Sequence, residues 1–149
     1  VHGRECGCGR KGCLEAYASA TGIKRTAFEL MATMNDPSPL REYSFDQLEA
    51  ATLSQFAAKG DPIAKECFRL TGQKLGYALA DAVTITSPEA IFIFGGLAKA
   101  GDLIFDPIKW YMEENMLIAF KNKVKVLPSE LQNKNAAVLG ASALVWQAK

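Results

Sequence analysis

Apolar positions recur at helical spacing from Leu14 to Ile85 and change to an unbroken run only after Ser87. Leu14 to Ala20 is rich in helix formers, and Thr21-Gly22 then offers a break with a possible new cap. A helix is expected from Ile23 to Met34, with Ile23, Ala27, Leu30, Met31 and Met34 on one stripe, stopped by the prolines of Asn35–Pro39. The polar connector through Tyr43 reads as surface loop. Ser44-Phe-Asp-Gln47 has the form of a capping box and should open a helix running to Ala58. Lys59-Gly60-Asp61-Pro62 ends that helix and starts the longest one, Pro62 to Ile85, with Asp61 as cap and Pro62 in the first turn. Gly72, Gly76 and Ala80 form a stripe of small residues along it, which lets another backbone approach closely, and Cys67 lies on its apolar face as a core thiol.

The pattern then changes. Ala90-Ile-Phe-Ile-Phe94 is continuously apolar, which predicts a parallel strand covered on both faces, and it ends in Gly95-Gly96. Asp106-Pro107 reads as the cap of a helix through Met116. Phe120 to Leu127 alternates lysines with valines, as in a strand with one exposed face, and Pro128 closes it. Asn135 to Gln147 predicts a final, largely buried helix. Sheets commonly carry about four to six strands, and this pattern supplies two, so the chain reads as part of an α/β domain whose other strands lie upstream.

Composition narrows the class without naming it. A chain of 149 residues with 49% hydrophobic and 22% charged residues is that of an ordinary globular protein. Its net charge of +1 gives no electrostatic footprint for nucleic acid or an anionic membrane. No apolar run approaches the ~20 residues of a membrane span. The cysteines show metal-type spacing and no even framework of pairs, which points to a reducing compartment, the cytoplasm.

The candidate chemistry is concentrated in the first fifteen residues. Cys6, Cys8 and Cys13 are interleaved with Gly7, Gly9 and Gly12, so the chain can turn sharply enough to aim three sulfurs at one point. Zinc favours such a set, with thiolates at about 2.3 Å and a fourth ligand from elsewhere. Three unrelated thiols, or a disulfide plus a spare, are the alternatives, and an odd number of clustered cysteines separated by glycines favours the metal. Glycines directly after a buried strand, at Gly95 and Gly96, remove side chains where a ligand would approach the carboxyl end of a sheet, although a tight turn wants glycine too. Glu15, at the start of a helix, has helix-dipole compensation as its plain role.

Cys6-Gly-Cys8-Gly-Arg-Lys-Gly12-Cys13-Leu-Glu15 resembles the zinc signature of the ROK family of bacterial sugar kinases and sugar-responsive repressors. Ile91–Ala98 is similar to the nucleotide-binding turn of the sugar-kinase and actin-like ATPase superfamily, and Asn135–Ser142 to the family's last helix. The resemblance implies part of an actin-like ATPase or ribonuclease H-like sugar-kinase domain, helix-rich with a small number of parallel strands. It makes residues 1–149 the carboxyl-terminal portion of such a protein, with the zinc motif in residues 1–15 and the strand and nucleotide turn in residues 90–101. It implies structural zinc on Cys6, Cys8 and Cys13, a sugar contact at Glu15, and nucleotide beside Gly95 and Gly96. The family's histidine ligand lies further upstream and has no counterpart here, and His2 stands too close to Cys6 to match it, though it could substitute.

The implied activity is glucokinase-like: phosphorylation of a hexose by ATP with magnesium, in a cytoplasmic homodimer. The family's amino-terminal phosphate loop and its catalytic aspartate have no match in this sequence, so no catalytic base is assigned and the chain by itself is expected to be inactive. A sugar-responsive repressor is the first alternative. A zinc-stabilised interaction module with no catalytic role is the second.

Overall fold

The computed structural model describes residues 3–131 and 136–147. His2 and Asn135, both singled out above, lie outside the described residues. The centre of the molecule is a helix pair. Helix α3 (Pro62–Thr86) packs along α4 (Asp102–Asn115), while α1 (Ala20–Thr33) and α2 (Ala50–Ala58) lie against α3. Strands β1 (Ala90–Ile93) and β2 (Lys125–Pro128) pair in parallel, with Ala90 beside Lys125 and Ile93 beside Pro128, and α4 lies in the crossover between them. Helix α5 (Ala136–Gln147) follows. The core gathers Ile23, Leu53, Ile63, Phe68, Ile104, Ile108 and Met112, all essentially inaccessible to solvent.

The small stripe on α3 has the predicted use. A Cβ on Gly72 would lie 2.7 Å from the ring of Pro107, and one on Gly76 would lie 2.9 Å from the carbonyl oxygen of Ile108. Glycine lets the two backbones touch. Asp61 caps α3 by accepting from the Ala64 amide at 2.8 Å, and Cys67 is fully buried.

Several expectations are corrected. Leu14 to Ala20 is not a continuous helix: a 3₁₀ turn covers Leu14–Ala16, and α1 begins afterwards with Ser19 as N-cap, accepting from Gly22 at 3.0 Å. Thr21-Gly22 is therefore the first turn of α1 and not a break. Gly22 is there because the Tyr17 backbone crosses it, 2.6 Å from where a Cβ would stand. The connector before Tyr43 folds as a 3₁₀ turn, Pro39–Glu42, that buries Leu40. The Ser44–Gln47 box forms from one side, with Gln47 Oε1 accepting from the Ser44 amide at 3.1 Å and from the Ser44 hydroxyl at 2.9 Å, but it closes a single turn and α2 starts only at Ala50. Asp106-Pro107 does not start a helix. It lies inside α4, where the proline ring fills the surface left open by Gly72 and so offsets the lost backbone bond.

The sheet departs from expectation on one face. Phe92 and Phe94 are 61% and 57% exposed, so β1 is covered on one side only within this chain. The alternating stretch forms a strand only over Lys125–Pro128, with Val124 and Val126 turned inward as predicted. Helix α5 is not buried: Leu144 and Val145 are 68% and 67% exposed, because no extended packing joins α5 to the other described elements.

Candidate functional site

The cysteine loop is a small hairpin. Glu5 and Lys11 form an antiparallel bridge, Cys6 N–H donates to the Arg10 carbonyl at 2.9 Å, and Gly12 N–H donates to the Arg4 carbonyl at 2.9 Å. Gly9 and Gly12 take positive φ angles of 82° and 77°, conformations that a residue with a Cβ rarely adopts. The hairpin brings the three thiols together: their Sγ atoms lie within 4.8 Å of one another, and Cys8 and Cys13 are 3.6 Å apart. Tetrahedral bonds of about 2.3 Å would set sulfurs about 3.8 Å apart, so the cluster could hold a metal ion. Among the described residues no fourth ligand joins them.

The thiols are not equivalent. A backbone hydrogen bond from Arg10, with further donation by Cys6 and Cys13, holds the Cys8 thiol below its ordinary value. Donation to Cys8, and then to Cys6, pushes Cys13 up to about 11. Cys67 is pushed up to about 12, chiefly by burial, and belongs to the core rather than to this cluster.

One side chain that the sequence pattern did not single out ties the loop to the fold. The Arg4 guanidinium donates to the carbonyls of Ala16 and Gly22, each at 3.1 Å, to Thr26 Oγ1 at 3.0 Å, and to the Glu29 carboxylate at 2.9 and 2.5 Å. Tyr17 Oη accepts from the Arg4 amide at 2.8 Å. An arginine before a cysteine carries no local signal of this role, because every partner comes from twelve or more residues away.

Glu15 sits in the 3₁₀ turn directly after Cys13, exposed, with its carboxylate 3.9 Å from Cys6 Sγ. It lines a cavity of about 230 Å³ with Cys6, Ser19, Thr21 and Arg25. Arg25 is also anchored to the loop, donating to the Glu5 carbonyl at 2.9 Å.

Gly95 and Gly96 stand at the carboxyl end of β1. Gly95 has φ +105°, so the turn itself asks for glycine there. Gly96 has ordinary helical angles, and a Cβ on it would meet nothing within 4 Å. Neither backbone strain nor packing within this chain demands a glycine at 96. The bare backbone opens onto a cavity of about 500 Å³ with Phe68 and Leu97 on its apolar wall and Lys24, Glu49 and Thr21 among its polar groups. Thr21 thus lines both cavities, the one at Glu15 and the one at Gly96.

A parallel strand pair with an intervening helix, a glycine turn at the strand's end and a cysteine loop beside it define part of an actin-like ATPase or ribonuclease H-like α/β domain of the sugar-kinase type. The chain belongs to the ROK family, whose model matches residues 1–148. It is 34% identical over 146 residues to a glucokinase of Halalkalibacterium halodurans, covering 97% of this chain and 44% of that protein. It is 31% identical over 147 residues to the DNA-binding transcriptional dual regulator NagC of Escherichia coli, covering 98% and 34%. The crystal structure of a ROK family glucokinase from Streptomyces griseus in complex with glucose and AMPPNP superposes with a TM-score of 0.82 at 31% identity, over 95% of this chain and 47% of that one. The chain therefore spans less than half the length of these relatives. Among its described residues no helix is long and apolar enough to cross a membrane.

Proposed function

We propose that the intact protein is a glucokinase-like hexose kinase, moving the γ-phosphoryl group of ATP to a sugar hydroxyl, and that this chain is its carboxyl-terminal portion. The observation that carries this reading is the adjacency of the two cavities across Thr21, one holding an exposed carboxylate at Glu15 and the other the bare backbone of Gly96. Phosphoryl transfer needs the acceptor hydroxyl and the nucleotide held side by side, and depends chiefly on positioning and charge stabilisation. Glu15 accepts hydrogen bonds from sugar hydroxyls, and Gly95-Gly96 lets the nucleotide lie against the backbone. Cys6, Cys8 and Cys13 hold a structural Zn²⁺ with a fourth ligand from elsewhere in the protein, and the ion fixes the loop that precedes Glu15. Mg²⁺ enters with ATP. The base that takes the hydroxyl proton and the amino-terminal phosphate loop lie outside this chain, which by itself turns over no hexose. The protein works as a homodimer in the cytoplasm, where the thiolates stay reduced.

A second reading, a sugar-responsive repressor, is favoured by the likeness to NagC at 31% identity over 98% of this chain. A coupled assay of the full-length protein with ATP, Mg²⁺ and glucose separates the two. Turnover well above a no-enzyme control supports the kinase. Hexose binding without turnover, together with hexose-dependent release of duplex DNA, overturns it in favour of the repressor.

A further inference from the structure

We infer that Cys8 and Cys13 form a reversible oxidation site, at which peroxide closes a disulfide, expels the metal and displaces the turn that carries Glu15. The inference rests on the metal and hexose reading of this loop given above.

Three observations converge on this pair. Their Sγ atoms are the pair in contact, at 3.6 Å, and Cys6 Sγ, within 4.8 Å of both, has the Glu15 carboxylate as a further partner at 3.9 Å. Cys8 is exposed at the hairpin, so a small oxidant reaches it directly. Gly9 lies between the two cysteines in open space, a Cβ there meeting nothing within 4 Å, so the backbone can shift at that point without moving a packed side chain. A disulfide requires about 2.05 Å between sulfurs, so closure draws the pair together by roughly 1.6 Å. The remaining cysteine, Cys67, is buried in the core and stands as an internal control.

The chemistry balances with hydrogen peroxide as the oxidant. One sulfur attacks a peroxide oxygen, the O–O bond breaks, and a sulfenic acid and one water result. The second sulfur attacks the sulfenic sulfur, forming the S–S bond and releasing a second water. The two sulfurs together give up two electrons, and two protons, from the thiols or from solvent when both are thiolates, end in the waters. Disulfide sulfurs carry no charge, so the loop would no longer hold a zinc ion bound through these thiolates, and no change in the ion's oxidation state is needed. Ala16 N–H donates to the Cys13 carbonyl at 3.0 Å, so movement of Cys13 passes straight into the turn bearing Glu15. Gly95 and Gly96 belong to a different element and are not moved.

The test uses the full-length, zinc-loaded protein titrated with hydrogen peroxide in the presence of a chromogenic chelator. Expected are release of one zinc per chain, loss of two thiols, and recovery with dithiothreitol and zinc. Trypsin cuts after Arg10 and Lys11, so Cys8 and Cys13 fall on separate peptides joined only if the disulfide has formed. Fragmentation of the joined peptide should assign the link to Cys8 and not to Cys6, and a Cys67→Ser variant should behave identically. The hexose KM should rise on the order of tenfold on oxidation, as expected for loss of a charge-assisted hydrogen bond, with the ATP KM little changed. Zinc retained while thiols oxidise, a link to Cys6, or sulfinic acid without a link would each overturn the inference. A protein that releases zinc and forms the link but never phosphorylates hexose would leave the oxidation site standing and sink the kinase reading instead.

Discussion

Arg4 donates to the Gly22 carbonyl at 3.1 Å, and this bond joins the cysteine loop to the first turn of α1. The same guanidinium reaches the Ala16 carbonyl and Thr26, and its side chain is only 14% exposed. Replacing it by alanine removes the donor to the Ala16 carbonyl and one of the donors to the Gly22 carbonyl, which keeps the Thr26 hydroxyl at 3.1 Å. Hydrogen bonds to charged groups are worth about 1.5–3 kcal/mol each before relaxation, so Arg4→Ala should destabilise the chain by about 2–3 kcal/mol. Arg4→Lys should recover only part of this, since one ammonium cannot span the fork. Urea denaturation of the three proteins checks it, and equal midpoints would show that the network is dispensable.

The close approach of α3 and α4 makes a second prediction. In Gly76→Ala the new methyl would stand 2.9 Å from the Ile108 carbonyl oxygen and 3.0 Å from the Met112 amide nitrogen, both backbone atoms that cannot swing aside. Alanine gains about 1 kcal/mol of helix propensity, whereas overpacking costs about 1–3 kcal/mol. The variant should melt below the wild type despite its better helix former. A higher melting temperature would mean the helices separate more easily than the packing implies.

Cys67 sets a pH dependence. Burial, with smaller contributions from Asp61 and Glu66, raises it from an ordinary value of 9.0 to about 12. Below pH 9 the thiol is neutral in both folded and unfolded chains, and its contribution to stability is fully present. Between pH 9 and about 12 the unfolded chain releases the proton and the folded chain keeps it, so stability falls as pH rises, by up to about 1.4 kcal/mol per pH unit. The difference in unfolding free energy between wild type and Cys67→Ala should therefore shrink from pH 8 to pH 10.5. A constant difference would show that Cys67 does not titrate on unfolding.

Substitutions at the two cavities should separate sugar from nucleotide. In the intact protein, on the proposed hexose-kinase reading, Glu15→Gln keeps the shape but weakens the acceptor by about 1.5–3 kcal/mol, so the hexose KM should rise about ten- to a hundredfold while that for ATP barely moves. Gly96→Val adds a side chain where nothing stands within 4 Å, so the melting temperature should hold while the ATP KM rises. Parallel changes of both KM values in either variant would argue against separate contacts.

Much of this was legible in the sequence because it is local. A cysteine cluster separated by glycines needs only a few residues of backbone to converge, so the metal-type loop could be read directly, and the three thiols do meet within 4.8 Å. Asp61 and Pro62 start α3 through contacts within one turn, and the Gly72–Gly76 stripe announces a close neighbour without naming it. Which neighbour was a tertiary matter: Pro107 looked like a helix start and proved to be the mid-helix surface that fills Gly72. Gly22 looked like a break for a different reason: the backbone of Tyr17, only five residues earlier, doubles back across it, a turn that the residue pattern does not announce.

Burial was the least legible property. The apolar runs at β1 and α5 predicted coverage, yet Phe92, Leu144 and Val145 face outward, because hydrophobicity states what a segment prefers and not whether this stretch of chain supplies the covering element. The sequence by itself determined the helix periods, the caps and the cysteine loop, all set by interactions within a few residues. Only the tertiary structure decided that Arg4 anchors that loop and that Thr21 lies between the cavities of Glu15 and Gly96, because the first needs the loop folded back on the Ala16 turn and α1, twelve to twenty-five residues away, and the second needs α1, α2, α3 and the turn after β1 brought together.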